Sequence, residues 1–312
     1  MINVLFSASD SAWEKYETPL SRSFSEQSLE VKIFFGQYDP AAIDYIVYAP
    51  DSGLEDFTPF TRLKAVMNLW AGVEDVVGNQ TLDVPLCRMV GGGLTEGMVE
   101  WVTAHVLRYH LEIDRFLDGQ DGVWRNDGWA PPLACDRKVT ILGLGALGAA
   151  CGSTLAGLGF QVHGWSRSQK QIKGLTCHHG EDGLTTALAE GEIVVLLLPL
   201  TPATENILND ERLAMLQKGA VVINPGRGPL IDDDALLAGL DSGQISHATL
   251  DVFRVEPLPK DHAYWAHPQV TVTPHIASAT RPLQASRVIA ANIARNEAGQ
   301  PFLNVVDRQA GY

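Results

Sequence analysis

Four side chains in the second half of the chain could act together: Arg227, Asp251, Glu256 and His275. Each lies at or just after the end of a short apolar, β-branched run, at 220–224, 248–253 and 270–273. In open α/β sheets ligands bind outside the carboxyl ends of such strands, so a shared location is expected. A planar guanidinium can hold a carboxylate bidentately. An imidazole can donate a proton near neutral pH, and a neighbouring carboxylate favours its charged form. Beside a hydride donor the set suits reduction of a ketone, because the carbonyl oxygen gains negative charge and needs a proton. Taken singly, each residue also has a plainer reading: Arg227 as a helix cap, Glu256 as a surface acid before Pro257, His275 as a packed histidine, Asp251 as a turn cap.

A site for a hydride donor is written at 138–168. An apolar run at 139–142 predicts a buried parallel strand. Gly143, Gly145 and Gly148 follow in G-x-G-x-x-G spacing, then a small-residue helix over 146–158, Gly159, and a second strand at 160–165. In such a βαβ unit the first glycine permits the tight turn. The second lets a pyrophosphate approach the backbone, and the third lets helix and strand pack closely. The helix N-terminus offers N–H groups and a positive dipole end. An NAD site usually places an acid about 20 residues after the glycines, on the ribose hydroxyls. Here 163–168 reads His-Gly-Trp-Ser-Arg-Ser, without an acid, and Lys170 and Lys173 follow Arg167. A guanidinium beside two hydroxyls suits a 2′-phosphate, so NADP(H) is expected. The plainer alternative is an ordinary solvated arginine.

Further elements must position these groups. The first hundred residues alternate strand-like runs (2–7, 29–35, 43–49, 63–69 and 84–90) with helix-permitting segments such as 9–28, predicting a separate α/β domain. The turn Asn68-Leu69-Trp70-Ala71-Gly72-Val73-Glu74 could present backbone N–H groups to a carboxylate. It reads equally as a common strand-to-helix turn. Gly91-Gly92-Gly93 suits a hinge, and one long helix is expected over 97–117, with His105 and His110 packed. Trp124, Trp129 and Pro131-Pro132 mark a loop expected to cover the domain junction. Later come a buried strand at 192–200, Pro202 at a first helical turn, a helix over 209–216, and a helix opened by Asp232-Asp233-Asp234.

A chain of 312 residues with ordinary apolar content suggests two domains. The net charge of −14 argues against nucleic-acid or anionic-membrane partners. Cys87, Cys135, Cys151 and Cys177 form no C-x-x-C pair, so no metal site or disulfide framework is suggested. Neither a signal peptide nor a membrane span is legible, and a cytoplasmic location is expected.

The ordered motifs Asn224-Pro225-Gly226-Arg227-Gly228, Asp251-Val252-Phe253-Arg254-Val255-Glu256-Pro257-Leu258-Pro259 and Thr273-Pro274-His275-Ile276-Ala277 resemble the D-2-hydroxyacid dehydrogenases, over essentially the whole chain. Trp165-Ser166-Arg167-Ser168, Thr280-Arg281-Pro282 and 306–312 look most like that family's reductases of glyoxylate and hydroxypyruvate. The resemblance implies two Rossmann-like α/β domains with a cleft between them. One is a flavodoxin-like substrate domain of 1–96 plus 281–312. The other is a doubly wound, parallel-sheet dinucleotide-binding domain of 97–280. It implies reduction of glyoxylate to glycolate and of hydroxypyruvate to D-glycerate, with NADP(H) preferred and NAD(H) also allowed, in a homodimer built on the helix from Gly97.

By the same resemblance, Arg227 orients the substrate, and Glu256 pairs with His275, the general acid. Trp70, Ala71 and Gly72 line the substrate, with the Ala71 and Gly72 amides on its carboxylate. The cofactor would meet Gly143, Gly145, Ala146, Leu147 and Gly148 at its pyrophosphate. Ser166, Arg167 and Ser168 would meet its 2′-phosphate, and Pro199, Thr204, Asn224 and Asp251 would lie further along it. Asp251 would sit by the nicotinamide carboxamide, with Met98 close to the ring. Two residues depart from the pattern. Trp70 stands where a small residue is expected, and either narrows the pocket or stacks on a longer substrate. Pro225 replaces a small aliphatic residue and stiffens its loop. Glu256 beside His275 argues against a member that needs no proton donor. The alternatives are a reductase of larger 2-keto acids and a non-catalytic dinucleotide sensor that binds protein partners.

Overall fold

The computed structural model describes residues 1–91, 93–124 and 128–311, and every count below is of these described residues. β-Branched runs separated by polar, glycine-rich turns give two all-parallel sheets, one in each of two units. The first unit takes the chain up to Thr95 and again from Ala279, and the second runs from Glu96 to Ser278.

The first unit contains β1 (Ile2–Ser7), α1 (Asp10–Glu26), β2 (Val31–Phe34), β3 (Tyr45–Tyr48), β4 (Ala65–Asn68), the single turn α2 (Glu74–Val77) and the short β5 (Leu86–Cys87). Its sheet order is β2-β1-β3-β4-β5, the flavodoxin-like order. Side chains alternate across the pleat. Val4 and Phe6 face a core shared with Leu20 and Phe24 of α1 and with Ile289 and Ile293 of the C-terminal helix Pro282–Glu297. Leu5 and Val66 face a second core with Phe57, Leu82 and Val306. Burial on both faces explains why these strands read as continuous apolar runs.

The second unit begins with α3 (Leu94–His110), whose first residues belong to the first unit, and α4 (Ile113–Leu117). It continues with β6 (Lys138–Leu142), α5 (Ala146–Gly157), β7 (Gln161–Ser166), β8 (Leu175–His179), α6 (Gly180–Ala189), β9 (Ile193–Leu196) and α7 (Asp210–Ala214). Then come β10 (Ala220–Asn224), α8 (Asp233–Asp241), β11 (Ile245–Leu250) and β12 (Val270–Val272). The sheet order is β12-β11-β10-β9-β6-β7-β8. Numbered from β6, its first six strands run 3-2-1-4-5-6, the doubly wound arrangement, and β12 adds a seventh beside β11. The order reverses between β6 and β9, the switch point where such folds bind ligands.

Several expectations change. The helix predicted over 97–117 is two helices, because Glu112 takes a left-handed conformation at φ 49°. Arg108 Nε, 2.9 and 2.8 Å from the two carboxylate oxygens of Asp114, bridges the break. Pro202 opens no helix. Its segment is a turn in which Thr204 Oγ1 accepts the Thr201 N–H at 2.8 Å and donates to Pro199 O at 2.7 Å. The strands at 29–35, 43–49, 63–69, 84–90 and 192–200 are each shorter than expected, and β8 with α6 was not anticipated. Of the triple glycine, Gly92 lies outside the described residues, while Gly91 and Gly93 take φ 79° and 84°.

Candidate active site

The glycine turn after β6 is shaped as its spacing predicts. Gly143 has φ 109°, and a Cβ there would lie 2.4 Å from Leu197 O. A Cβ on Gly148 would lie 1.8 Å from Gly143 O, so only hydrogen fits between helix and turn. At Gly145 a Cβ would meet nothing within 4 Å, which leaves the backbone open to an approaching group. Gly145 is the N-cap of α5 and no side chain caps that helix. Its first-turn N–H groups at Ala146, Leu147 and Gly148 therefore remain available, as a pyrophosphate site requires. At the end of β7, Ser166 is buried and its hydroxyl donates to Ser168 O at 2.7 Å, while Arg167 and Ser168 are exposed.

On the other side of the switch point, the loops after β11 and β12 meet. Glu256 Oε2 lies 2.8 Å from His275 Nδ1, and Glu256 Oε1 accepts the Phe253 N–H at 2.9 Å. The carboxylate is thus held by its own loop while it fixes the imidazole. His275 is half exposed, which leaves Nε2 for a reactant. The His275 backbone sits at φ 53°, an uncommon value for a residue with a Cβ. Asp251 holds it there. The Asp251 carbonyl accepts the His275 N–H at 2.8 Å. Its carboxylate Oδ1 accepts from Thr273 Oγ1 at 2.6 Å and from the Ile276 N–H at 2.9 Å, and Oδ2 accepts the Ala277 N–H at 2.8 Å. Asp251 is wholly buried, and both oxygens serve the loop that carries His275.

Asn224 does the same for Arg227. Its Nδ2 donates to Arg227 O at 2.9 Å and its Oδ1 accepts the Gly226 N–H at 3.1 Å. Its own carbonyl accepts the Asp251 N–H at 3.0 Å, joining the two loops. Arg227 is partly buried and donates from Nη1 to Gly226 O at 2.7 Å. Sequence reasoning placed Asn224 and Asp251 against a cofactor, and the structure shows that each side chain also makes internal bonds.

In the first unit, Asn68 at the end of β4 is buried and donates from Nδ2 to Trp70 O at 3.0 Å and to Gly72 O at 2.7 Å. Met89 N–H also donates to Trp70 O, at 3.0 Å. With these carbonyls drawn inward, the N–H groups of Ala71 and Gly72 have no hydrogen-bond partner among the described residues. Unbonded amides in a row make a concavity for an anion. Sequence reasoning named this turn but gave Asn68 no role, because its two acceptors are visible only once the chain has turned.

The remaining expected residues lie on α3 or in the segment after α4. Met98 is buried in the second unit's core with Val102 and Val106. His105 and His110 are packed on α3, and burial lowers the proton affinity of both. Trp129 packs on Phe116, with centroids 5.4 Å apart, and Trp124 is 91 % exposed. Among the described residues there is no cluster of three or more His, Cys, Asp or Glu that could hold a metal ion, and no helix long and apolar enough to cross a membrane.

Known proteins share this fold. Residues 102–277 match the model of the D-isomer specific 2-hydroxyacid dehydrogenase NAD binding domain. The chain is 41 % identical over 259 residues to glyoxylate/hydroxypyruvate reductase A of Serratia proteamaculans, covering 80 % of this chain and 82 % of that protein. Among solved structures, a D-isomer specific 2-hydroxyacid dehydrogenase from Xanthobacter autotrophicus Py2, in complex with NADPH and MES, superposes with TM-score 0.91 and 41 % identity, covering 99 % of each chain. An NADPH-dependent glyoxylate/hydroxypyruvate reductase from Sinorhizobium meliloti, in complex with NADP and sulfate, gives TM-score 0.87 at 35 % identity over 100 % of each chain. The chain belongs to the D-isomer specific 2-hydroxyacid dehydrogenase family.

Proposed function

We propose that this chain reduces small 2-keto acids, glyoxylate and hydroxypyruvate first, to 2-hydroxy acids with NADPH. The observation that carries the proposal is the Glu256–His275 pair at 2.8 Å, on strand-end loops of the same sheet as the glycine turn. Arg227 takes the substrate carboxylate and orients the carbonyl, and the Ala71 and Gly72 amides are the carboxylate-binding groups of the first unit. His275 donates its proton from Nε2 to the carbonyl oxygen as that oxygen gains charge, and Glu256 stabilises the imidazolium before transfer. Asp251 and Asn224 hold the two loops in place.

Residues 143–148 and the start of α5 would hold the dinucleotide pyrophosphate, Ser166, Arg167 and Ser168 its 2′-phosphate, and Pro199 and Thr204 its neighbouring segment. When bound, the reduced dinucleotide supplies the hydride for the carbonyl carbon. The first unit is taken as the substrate domain and the second as the cofactor domain. We assign the protein to the cytoplasm, a reducing compartment in which its four free cysteines stay thiols. A homodimer is supported by the run of exposed apolar side chains at Phe116, Leu117, Val123, Trp124 and Leu133, and sedimentation at graded concentrations tests it.

One residue favours a second substrate class. Trp70 is 42 % exposed, and its indole could stack on a larger 2-keto acid. The deciding experiment follows NADPH oxidation with glyoxylate, with hydroxypyruvate and with a longer keto acid, each repeated with NADH. Fast turnover of either small acid, favouring NADPH, is expected. Turnover of the longer acid alone would move the substrate class, and cofactor binding without turnover on any acid would leave the sensor alternative standing.

A further inference from the structure

The loops that carry Arg227 and Glu256 are fastened together behind the site. Gly228, next to Arg227, lies against the Phe253–Arg254 peptide. A Cβ on Gly228 would meet Phe253 C at 2.0 Å and Arg254 N at 2.5 Å. The Arg254 side chain then reaches two separate segments, 205–206 and 231–233. Its Nη2 donates to Ile231 O at 2.6 Å and to Asn206 Oδ1. Its Nε lies 3.5 Å from Asp233 Oδ2 at the start of α8, and its Nη1 lies 3.6 Å from Glu205 Oε1. The 205–206 turn is tied in as well, through the Asn206 N–H to Pro229 O at 2.8 Å. One guanidinium thus joins the Glu256 loop, the segment just after Arg227 and the turn between β9 and α7. No other contact of the Glu256 loop uses so many donors of one side chain, and a lysine could not reproduce the planar fork.

We propose that Arg254 is a positioning residue for the reduction: it sets the Glu256 loop against the Arg227 turn, and so acts through Glu256 on the proton donor. This rests on the roles proposed above for Arg227, Glu256 and His275. A misplaced carboxylate holds the imidazole less well, and small misplacements cost large factors in rate. The expected consequence is a loss in kcat with little change in cofactor affinity.

The test compares Arg254→Ala, Arg254→Lys, Glu256→Gln and the double variant Arg254→Ala/Glu256→Gln, with glyoxylate and hydroxypyruvate across pH. Arg254→Ala is expected to lower kcat by roughly tenfold to a hundredfold. It should draw the alkaline limb of the rate profile to lower pH while KM for NADPH stays within about twofold of wild type. Arg254→Lys should recover only part of the loss. In the double variant the Arg254 change should add almost nothing to the Glu256 change, as coupled residues behave. Should Arg254→Ala fail to fold, Asn206→Gly removes one acceptor while tolerating the φ of 50° at that position, and should give a smaller shift of the same kind.

A wild-type pH profile in Arg254→Ala, or fully multiplicative losses in the double variant, would overturn the positioning role while leaving the catalytic assignment intact. An unaltered Glu256→Gln enzyme would overturn the catalytic assignment itself.

Discussion

Glu256 gives one carboxylate oxygen to His275 Nδ1 at 2.8 Å and the other to the main-chain N–H of Phe253 at 2.9 Å. The acid is anchored three residues from its own position and aims its second oxygen at the imidazole. Replacing Glu256 by Gln keeps the shape and removes the charge. Without it Nδ1 loses its charged partner, so kcat should fall by roughly tenfold or more while KM for NADPH holds. Steady-state kinetics of the two proteins with hydroxypyruvate measure this, and an unchanged kcat would remove Glu256 from the mechanism.

Asp251 supplies acceptors on both oxygens to the 273–277 loop. In Asp251→Asn an NH₂ must face a main-chain N–H, leaving a buried donor unsatisfied. The expected cost is about 1–3 kcal/mol in stability. Because His275 is kept at a positive φ by this network, kcat should fall as well. Denaturant unfolding and steady-state kinetics on the same preparation check both, and a variant with normal stability would contradict the contact set described above.

Asn68→Ala frees the Gly72 carbonyl and leaves Trp70 O with the Met89 N–H alone, so the Ala71 and Gly72 amides lose part of their fixed direction. KM for the keto acid should rise by about tenfold, while KM for NADPH holds. Equal rises in both constants would show a general loosening rather than a lost carboxylate site.

Arg167→Ala tests the cofactor preference. A charge-assisted hydrogen bond to phosphate is worth about 1.5–3 kcal/mol, so KM for NADPH should rise about tenfold or more while KM for NADH is unmoved. Parallel titrations of the two nucleotides read the result directly, and an unchanged NADPH constant would place the 2′-phosphate elsewhere.

Stability should also depend on pH through one buried and three partly buried histidines. Burial is the first cause that lowers the proton affinity of His105, His110, His163 and His247 below the usual 6.5. The unfolded chain binds these protons as pH drops past 6.5 and the folded chain resists them. Their contribution is therefore complete above that value and is lost as pH falls toward the folded values. Thermal melts from pH 8 to pH 5 should show Tm declining below about 6.5, ahead of carboxylate titration. His110→Phe, at a ring that already packs on Phe160, should flatten part of the slope. A Tm independent of pH over that range would contradict the assignment.

Much of this arrangement was legible before folding. β1 and β10 match their apolar runs residue for residue, and the G-x-G-x-x-G turn lies where its spacing put it. These features are local, since a buried strand needs only a run of apolar residues and a tight turn needs only its glycine. β8 was not legible because Leu-Thr-Cys-His-His at a sheet edge offers no such run. The break at Glu112 was hidden for the opposite reason. Leu111, Ile113 and Phe116 keep an apolar rhythm across it, and rhythm does not report a single left-handed residue.

The site divides in the same way. Arg227, Glu256 and His275 were named by type and position. The parts played by Asn68, Asp251 and Arg254 were not, because they depend on contacts closed by the fold. The Asp251 carboxylate meets residues 22 to 26 positions away, and Arg254 meets one 48 away. Side chains that touch a reactant advertise themselves by chemistry, whereas those that aim them are identified by their partners.

The first unit is assembled from the two ends of the described chain. Its sheet is covered by the helix Pro282–Glu297, which lays Ala285, Ile289, Ala290 and Ile293 on Val4, Phe6 and Leu20. During synthesis β1 and α1 precede the second unit, yet the helix that shares their core is made only after it. The nascent sheet therefore waits with one apolar face covered by α1 alone while the later-made unit is completed. Such a delay leaves that face open to association with other chains.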